Sequence, residues 1–253
     1  AANLAYLGLY ALQHRGQESA GIAAGPEGRL RLHKGLGLVA DVFKDAHLRM
    51  LPGSLAIGHV RYSTAGEPVA ANVQPILIDC HRGPIAVCHN GNLVNATILR
   101  RELEAAGSIF QCTSDTEVIL HLYARNHLER LQDAIAASLS KVLGAYSLLF
   151  LTPSALVAAR DPWGFRPLVI GRLNGATIVC SETCALDLID AQYVRDVEPG
   201  EIVRIDSDGM QSLRPFPLET PRQCIFEHVY FARPDSLVFG RNVLESRLAL
   251  GRR

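Results

Sequence analysis

Cys88, His89, Asn90 and Gly91 follow one another at the end of the apolar run AVC, and a thiol beside an imidazole is the elementary pair of thiol catalysis. Adjacent residues on a strand point to opposite faces, so Cys88 and His89 cannot readily act there as nucleophile and base. Cys88 reads instead as a small core side chain. Asn90 and Gly91 offer different chemistry: a side-chain amide next to an unencumbered backbone N–H can supply two donors to one developing oxyanion. The same Asn-Gly dipeptide also suits an ordinary hairpin turn, and the local sequence leaves both readings open.

Arg61, within GHVRYSTAG, can clamp a carboxylate through two parallel hydrogen bonds. Asp115, at a helix start, can hold an amino group. Together they would suit the two ends of an α-amino acid, although each alone is equally a surface charge. Arg15, in QHRGQES, stands just past a helix end with Gly16 behind it to allow a tight reversal; the helix dipole and solvent also explain an arginine there. RDPWGFRPL contains the only tryptophan and reads as a structural turn between strands. His59, His81 and His121 have no metal-like spacing.

These residues need elements to position them. Leu4, Leu7, Leu9 and Leu12 suit one face of an opening helix ending near His14. SAGIAA, RLRLHKG, SLAIGHVRYS, QPILIDC and PIAVCH predict short strands. Two helices follow, one over 95–106 and one opening at Ser114, where Ser114 and Glu117 have capping-box spacing and place Asp115 in the first turn. A third helix in LQDAIAASLSKVL leads to strands in AYSLLFL, SALVAARD, RPLVIGRL, ATIVCS and GEIVRID. Strands framing a central group of helices, with few βαβ alternations, predict an α+β fold with antiparallel sheets. RPFPLETPRQ reads as a linker, with a domain boundary near Gln223.

The bulk numbers narrow the class of function. The chain has 253 residues, 48% of them hydrophobic, enough for a substantial core. Twenty-five basic residues balance twenty-five acidic ones, so no net field draws it to nucleic acid or an anionic membrane. The opening AANLAYLGLYALQH is too short for a membrane span and lacks the basic start of a signal peptide, which makes the cytoplasm the default location. Cys80, Cys88, Cys112, Cys180, Cys184 and Cys224 form no C-x-x-C pair and read as reduced thiols. Starting inside an apolar pattern at Ala1 and ending at Arg253 within a starting helix, the sequence reads as a fragment.

LQHRGQESAGIA, GHVRYSTAG, CHNGNLVN, SDTE, RDPWGFRPL and CIFEHVYFARPDS occur in this order, and through them nearly the whole chain resembles the glutaminase domain of the amidophosphoribosyltransferases, class II glutamine amidotransferases. The resemblance implies an N-terminal nucleophile hydrolase fold, a four-layer αββα sandwich of antiparallel sheets. Residues 1–222 would form the glutaminase domain without its first strand, and 223–253 the linker and the beginning of a phosphoribosyltransferase domain.

In that family the nucleophile is a cysteine at the mature N-terminus, whose α-amino group acts as base. That cysteine is absent here, so the fragment alone is expected to be inactive. Matched by motif, Asn90 and Gly91 form the oxyanion hole and Arg15 orients the N-terminal region. Arg61 and Asp115 bind the glutamine α-carboxylate and α-amine, and Thr64 lines their pocket. The resemblance further implies ammonia delivery to phosphoribosyl pyrophosphate in purine synthesis, magnesium in the second domain and a homo-oligomer. Cys224 would be one ligand of a [4Fe-4S] cluster or a buried thiol. By their position at the apparent junction, in VYFARPDS, Tyr230 and Arg233 would couple two active sites. The rival readings are a nucleophile-free binding or regulatory module of the same fold, and a thiol hydrolase using Cys88 or Cys112.

Overall fold

Apolar alternation in SAGIAA and SLAIGHVRYS becomes two neighbouring strands, β1 (Ser19–Gly25) and β3 (Leu55–Arg61), with β2 (Arg31–Leu36) on the far side of β1. The structure, a computed structural model, describes residues 1–26, 28–62 and 69–252. A second three-stranded sheet runs β10–β8–β9, with β8 at Val169–Leu173, β9 at Ala176–Cys180 and β10 at Gln192–Asp196. The largest sheet has the order β12–β11–β7–β6–β5–β4. Its strands are β4 (Ile76–Cys80), β5 (Gly83–Leu93), β6 (Gly144–Leu151), β7 (Leu156–Arg160), β11 (Ile202–Asp206) and β12 (Gly209–Leu213). Neighbours in these three sheets are antiparallel, as are those of a short two-stranded ladder pairing Leu237–Val238 with Arg241–Asn242.

Helices α1 (Ala2–Ala11), α2 (Val39–Val42), α3 (Asp45–Arg49) and α7 (Cys184–Leu188) belong to the side of the two smaller sheets; α4 (Ala96–Ala105), α5 (Thr116–Ala124) and α6 (Leu131–Leu139) pack on the largest. The core between the sheets joins Ala23 and Ile57 to Ala86, Cys88 and Leu151. Under the second helical layer, Ile85 and Val87 of β5 meet Ile119 and Ile135. Each such fully buried Ile or Leu contributes about 2 kcal/mol. Helix, sheet, sheet, helix is the four-layer αββα order that the resemblance implied.

Helix α4 shows why local chemistry ends an element where it does. Gly107, at φ 88°, follows the last turn, and the N–H groups of Gly107 and Ser108 close onto the carbonyls of Glu104 and Leu103, a Schellman stop. The opening of α5 departs from expectation. Asp115 is its N-cap, and Glu117 accepts from the N–H groups of Gln111 and Cys112 rather than from Ser114. The spacing suited a capping box, but the preceding loop turns its own unpaired donors onto that carboxylate. The proline-rich stretch 214–223 contains neither helix nor strand. Beyond it come a π-helical turn at Glu227–Phe231 and α8 (Val243–Gly251), the expected closing helix.

Candidate active site

Strand β5 outlasts its partner β4, and the site grows from that mismatch. The β4 ladder ends at Ile76 opposite Val87, leaving the backbone of β5 beyond it to find other partners. The N–H of His89 donates to Gln74 Oε1 at 2.7 Å, its carbonyl lies 3.0 Å from His59 Nε2, and the N–H of Leu93 donates to Asp115 Oδ2 at 2.8 Å. Backbone groups two residues apart face the same edge, so the N–H of Gly91 points outward between these two side-chain-capped donors. No described side chain accepts from it.

The hairpin reading of Asn90 and Gly91 is therefore replaced: both lie inside β5, opposite Ser147 and Tyr146 of β6. Glycine is required at 91, where φ is 155° and a Cβ would stand 2.0 Å from the Ala145 carbonyl oxygen. Nδ2 of Asn90 is buried with no acceptor among the described residues. Unpaired donors of this kind cost about 1–3 kcal/mol and mark a place for an oxygen atom.

Five residues singled out from the sequence, Arg15, Arg61, Asn90, Gly91 and Asp115, line one cavity of about 110 Å³. Gly16 serves this assembly differently than expected. Its φ of −175° is ordinary extended backbone, but a Cβ there would lie 2.5 Å from the Arg61 carbonyl carbon, so its small size lets the Arg15 turn rest on β3. Burial opposes ionisation of Asp115, yet hydrogen bonding to His89 and to the N–H of Leu93 outweighs it and holds the carboxyl below its usual range. The Asp115 carboxylate and the buried guanidinium of Arg61, whose Nη1 is 3.5 Å from Glu18, line the same cavity. Thr64 lies outside the described residues.

The sequence reading missed five contributors: Glu182, Glu227, Arg166, Phe231 and His14. Arg15 donates to Glu182 and, through two nitrogens at 2.9 Å, to Glu227; Arg166 also donates to Glu227 at 2.9 Å. Both guanidiniums stack over Phe231, at 4.5 and 5.3 Å. Glu182 and Glu227 are wholly buried. His14 lies 2.8 Å from Glu182, and burial of that carboxylate is outweighed by His14 and Arg15, which bring it down to about 2. Arg166 belongs to the expected structural turn, which does form around Asp161, yet the turn also delivers this guanidinium to the cavity wall. An acid inside the apolar run CIFEHVYF was the one signal that could have found Glu227.

Cys88 faces the inter-sheet core and His89 the helical layer, as strand alternation required. Burial pushes the Cys88 thiol well up, and the Cys112 thiol up to about 12, so neither is an activated nucleophile. All six cysteines are free. Cys224 lies 3.8 Å from Arg166 Nη1, and among the described residues no three metal-ligating side chains gather at one place. A cluster held by four thiolates does not fit this chain's residues alone. Tyr230 is 66% exposed and turned from the cavity, while the backbone N–H of Arg233 donates to Glu182 at 2.9 Å. Among the described residues no helix is long and apolar enough to cross a membrane.

A second cavity, of about 340 Å³, adjoins the first. It lies between β3 and β9, with Leu4 and Leu9 of α1 on one side and Leu149 and Leu156 of the largest sheet on the other. Among the described residues β3 pairs only with β1 and β9 only with β8.

Residues 59–188, just over half of the chain, match the family described as a glutamine amidotransferase domain. Over 253 residues the chain is 54% identical to amidophosphoribosyltransferase 1, chloroplastic, of Arabidopsis thaliana, covering 99% of this chain and 45% of that relative. It is 49% identical to amidophosphoribosyltransferase of Bacillus subtilis, covering 100% and 53%. The solved glutamine phosphoribosylpyrophosphate amidotransferase of B. subtilis, complexed with ADP and GMP, aligns with a TM-score of 0.92 at 48% identity, over 96% of this chain and 53% of that one. The chain spans about half the length of the curated relatives it matches.

Proposed function

Because this chain belongs to the glutamine amidotransferase domain family, we propose that it is the glutamine-hydrolysing part of an amidophosphoribosyltransferase. The observation that carries the reading is one cavity lined together by Asn90, Gly91, Arg61 and Asp115, with Nδ2 of Asn90 buried and without a partner among the described residues. Asp115 holds the substrate α-ammonium, Arg61 its α-carboxylate, and the two donors of β5 await the carboxamide oxygen. Arg15, fixed by two carboxylates, orients the backbone that brings in the nucleophile.

The cavity between β3 and β9 supports the entry of a further strand there, joining the two three-stranded sheets into one. In this reading that strand carries an N-terminal cysteine, its α-amine acting as base. The thiolate adds to the amide carbon, and the oxyanion rests on Asn90 and Gly91. The C–N bond then breaks, and the nitrogen leaves as ammonia with the proton taken from the thiol. Water hydrolyses the resulting γ-glutamyl thioester to glutamate and returns the thiol.

Ammonia passes to a phosphoribosyltransferase part, which begins after residue 222 and holds the magnesium. There it displaces pyrophosphate from phosphoribosyl pyrophosphate to give phosphoribosylamine, the first step of purine synthesis. The free thiols fit a reducing compartment such as the cytoplasm. The names of the relatives, and the identity over the whole chain, support this assignment.

Treating the full-length gene product with a glutamine-like diazoketone and mapping the adduct by peptide mass tests it. Labelling of an N-terminal cysteine, with ammonia-dependent synthesis preserved, is expected. Labelling of Cys88 or Cys112 would revive the thiol-hydrolase reading, and no adduct with no glutamate release would favour a nucleophile-free binding module.

A further inference from the structure

His59 sits on β3 with Ile57 and Arg61 on the face turned between the sheets. Its Nε2 is 3.0 Å from the carbonyl oxygen of His89. A carbonyl only accepts, so Nε2 carries the proton, and Nδ1 of the neutral ring presents a lone pair. Burial, aided by the charge of Arg61 and opposed by the bond to His89, pushes the imidazole down to about 4, and the ring stays neutral under physiological conditions.

Nδ1 is buried and has no partner among the described residues. The same is true of Nδ2 of Asn90, which can only donate. Both side chains line the smaller cavity and also the larger one, so they stand where the two meet. The bond from His59 to the residue immediately before Asn90 makes them neighbours. A buried acceptor and a buried donor, each unpaired, are together matched by a group that offers one acceptor and one donor from adjoining atoms. A primary carboxamide does this; a carboxylate or an ester offers acceptors only.

We infer that His59 is a specificity-determining residue whose Nδ1 accepts a hydrogen bond from the amide nitrogen of the substrate, while Asn90 and Gly91 bind its oxygen. The inference rests on the glutamine-hydrolase reading above. His59 takes no proton: the departing nitrogen keeps an N–H on Nδ1 throughout and gains its proton from the attacking thiol. The same lone pair repels the second oxygen of a carboxylate, so glutamate, the product, is held less well than glutamine.

The test compares L-glutamine with the γ-methyl ester of L-glutamate in the full-length enzyme, since the ester keeps the carbonyl and lacks the N–H. His59→Gln retains an N–H near the Nε2 position for the His89 carbonyl and removes the acceptor. It is expected to lower kcat/KM for glutamine about tenfold and to leave the ester within about twofold, the size of one hydrogen bond lost in the transition state. His59→Asn keeps an acceptor near Nδ1 and loses the link to His89; it is expected to slow both substrates alike. Equal losses on both substrates in His59→Gln, or an unchanged amide-to-ester ratio, would overturn the inference. A wild-type enzyme that released glutamate from neither substrate would instead defeat the glutamine-hydrolase reading beneath it.

Discussion

Glu227 takes both terminal nitrogens of Arg15, Nη1 on Oε2 and Nη2 on Oε1 at 2.9 Å each, across 212 residues of chain. The segment beyond the proline-rich stretch thereby fixes a guanidinium in the wall of the candidate active site. The planar fork of arginine matches a carboxylate as lysine cannot. Glu227→Gln keeps the shape and removes the charge, leaving Arg15 and Arg166 to share fewer partners in a dry setting. It is expected to cost about 3 kcal/mol or more in denaturant unfolding and to raise the KM for glutamine more than it lowers ammonia-dependent turnover. A variant as stable as wild type with an unchanged KM would show that the pair neither holds the fold nor shapes the site.

Asn90→Ala in the full-length enzyme is expected to lower glutamine-dependent turnover by about 10²-fold or more, as removal of an oxyanion donor does. Ammonia-dependent synthesis and the thermal midpoint should stay close to wild type, because Nδ2 makes no bond among the described residues that folding would lose. Steady-state rates with each nitrogen source check both halves.

Gly91→Ala acts through the backbone instead. A Cβ 2.0 Å from the Ala145 carbonyl oxygen, at a φ of 155°, forces β5 and β6 apart. The expected loss is about 3 kcal/mol or more, seen as a lowered unfolding midpoint together with lost glutamine use. A variant of wild-type stability would contradict the strand geometry.

Glu182 and Glu117 are both brought down to about 2 from an ordinary 4.5. Burial works against each. His14 and Arg15 outweigh it at Glu182, and His121 with the loop N–H groups does so at Glu117. Carboxylates depressed in the folded state add stability that is complete above the unfolded value and disappears as pH falls through the folded one. Unfolding free energy is therefore expected to fall between about pH 4.5 and pH 2. Glu182→Gln should flatten part of that slope and lower the plateau above it. A parallel pH profile in the variant would refute the role given to Glu182.

Cys88→Ala is expected to keep glutamine-dependent turnover within about threefold of wild type, at a cost of about 1 kcal/mol in stability from the lost packing. In the native protein the thiol should resist alkylation until unfolding, which a timed labelling experiment reads directly.

Most strands were legible because their apolar residues face one core each. Ile85, Val87 and Cys88 sit where alternation placed them, and Cys88 and His89 diverge for the same reason. Asn90–Gly91 misled locally because the dipeptide favours turns. Pairing with Ser147 and Tyr146, set by residues over fifty positions away, overrides that preference. The strands QYVRD and GMQSL were missed since both are largely exposed edges with little apolar signal. Glu182 and Glu227 were invisible for a deeper reason. A glutamate reads as solvated unless its cation is known, and Arg15 lies 167 and 212 residues away from them.

The alternation that aims the N–H groups of Gly91 and Leu93 at one edge also makes β5 a gauge. Two residues of extended chain span about 7 Å, and that pitch separates the N–H of Gly91 from the N–H of Leu93 that tethers Asp115. On the proposed function, the distance between the amine and the amide of the substrate is set by an interval that backbone geometry does not let drift. Asparagine, one methylene short, falls between the marks, and its kcat/KM should be lower than that of glutamine by about 10²-fold or more.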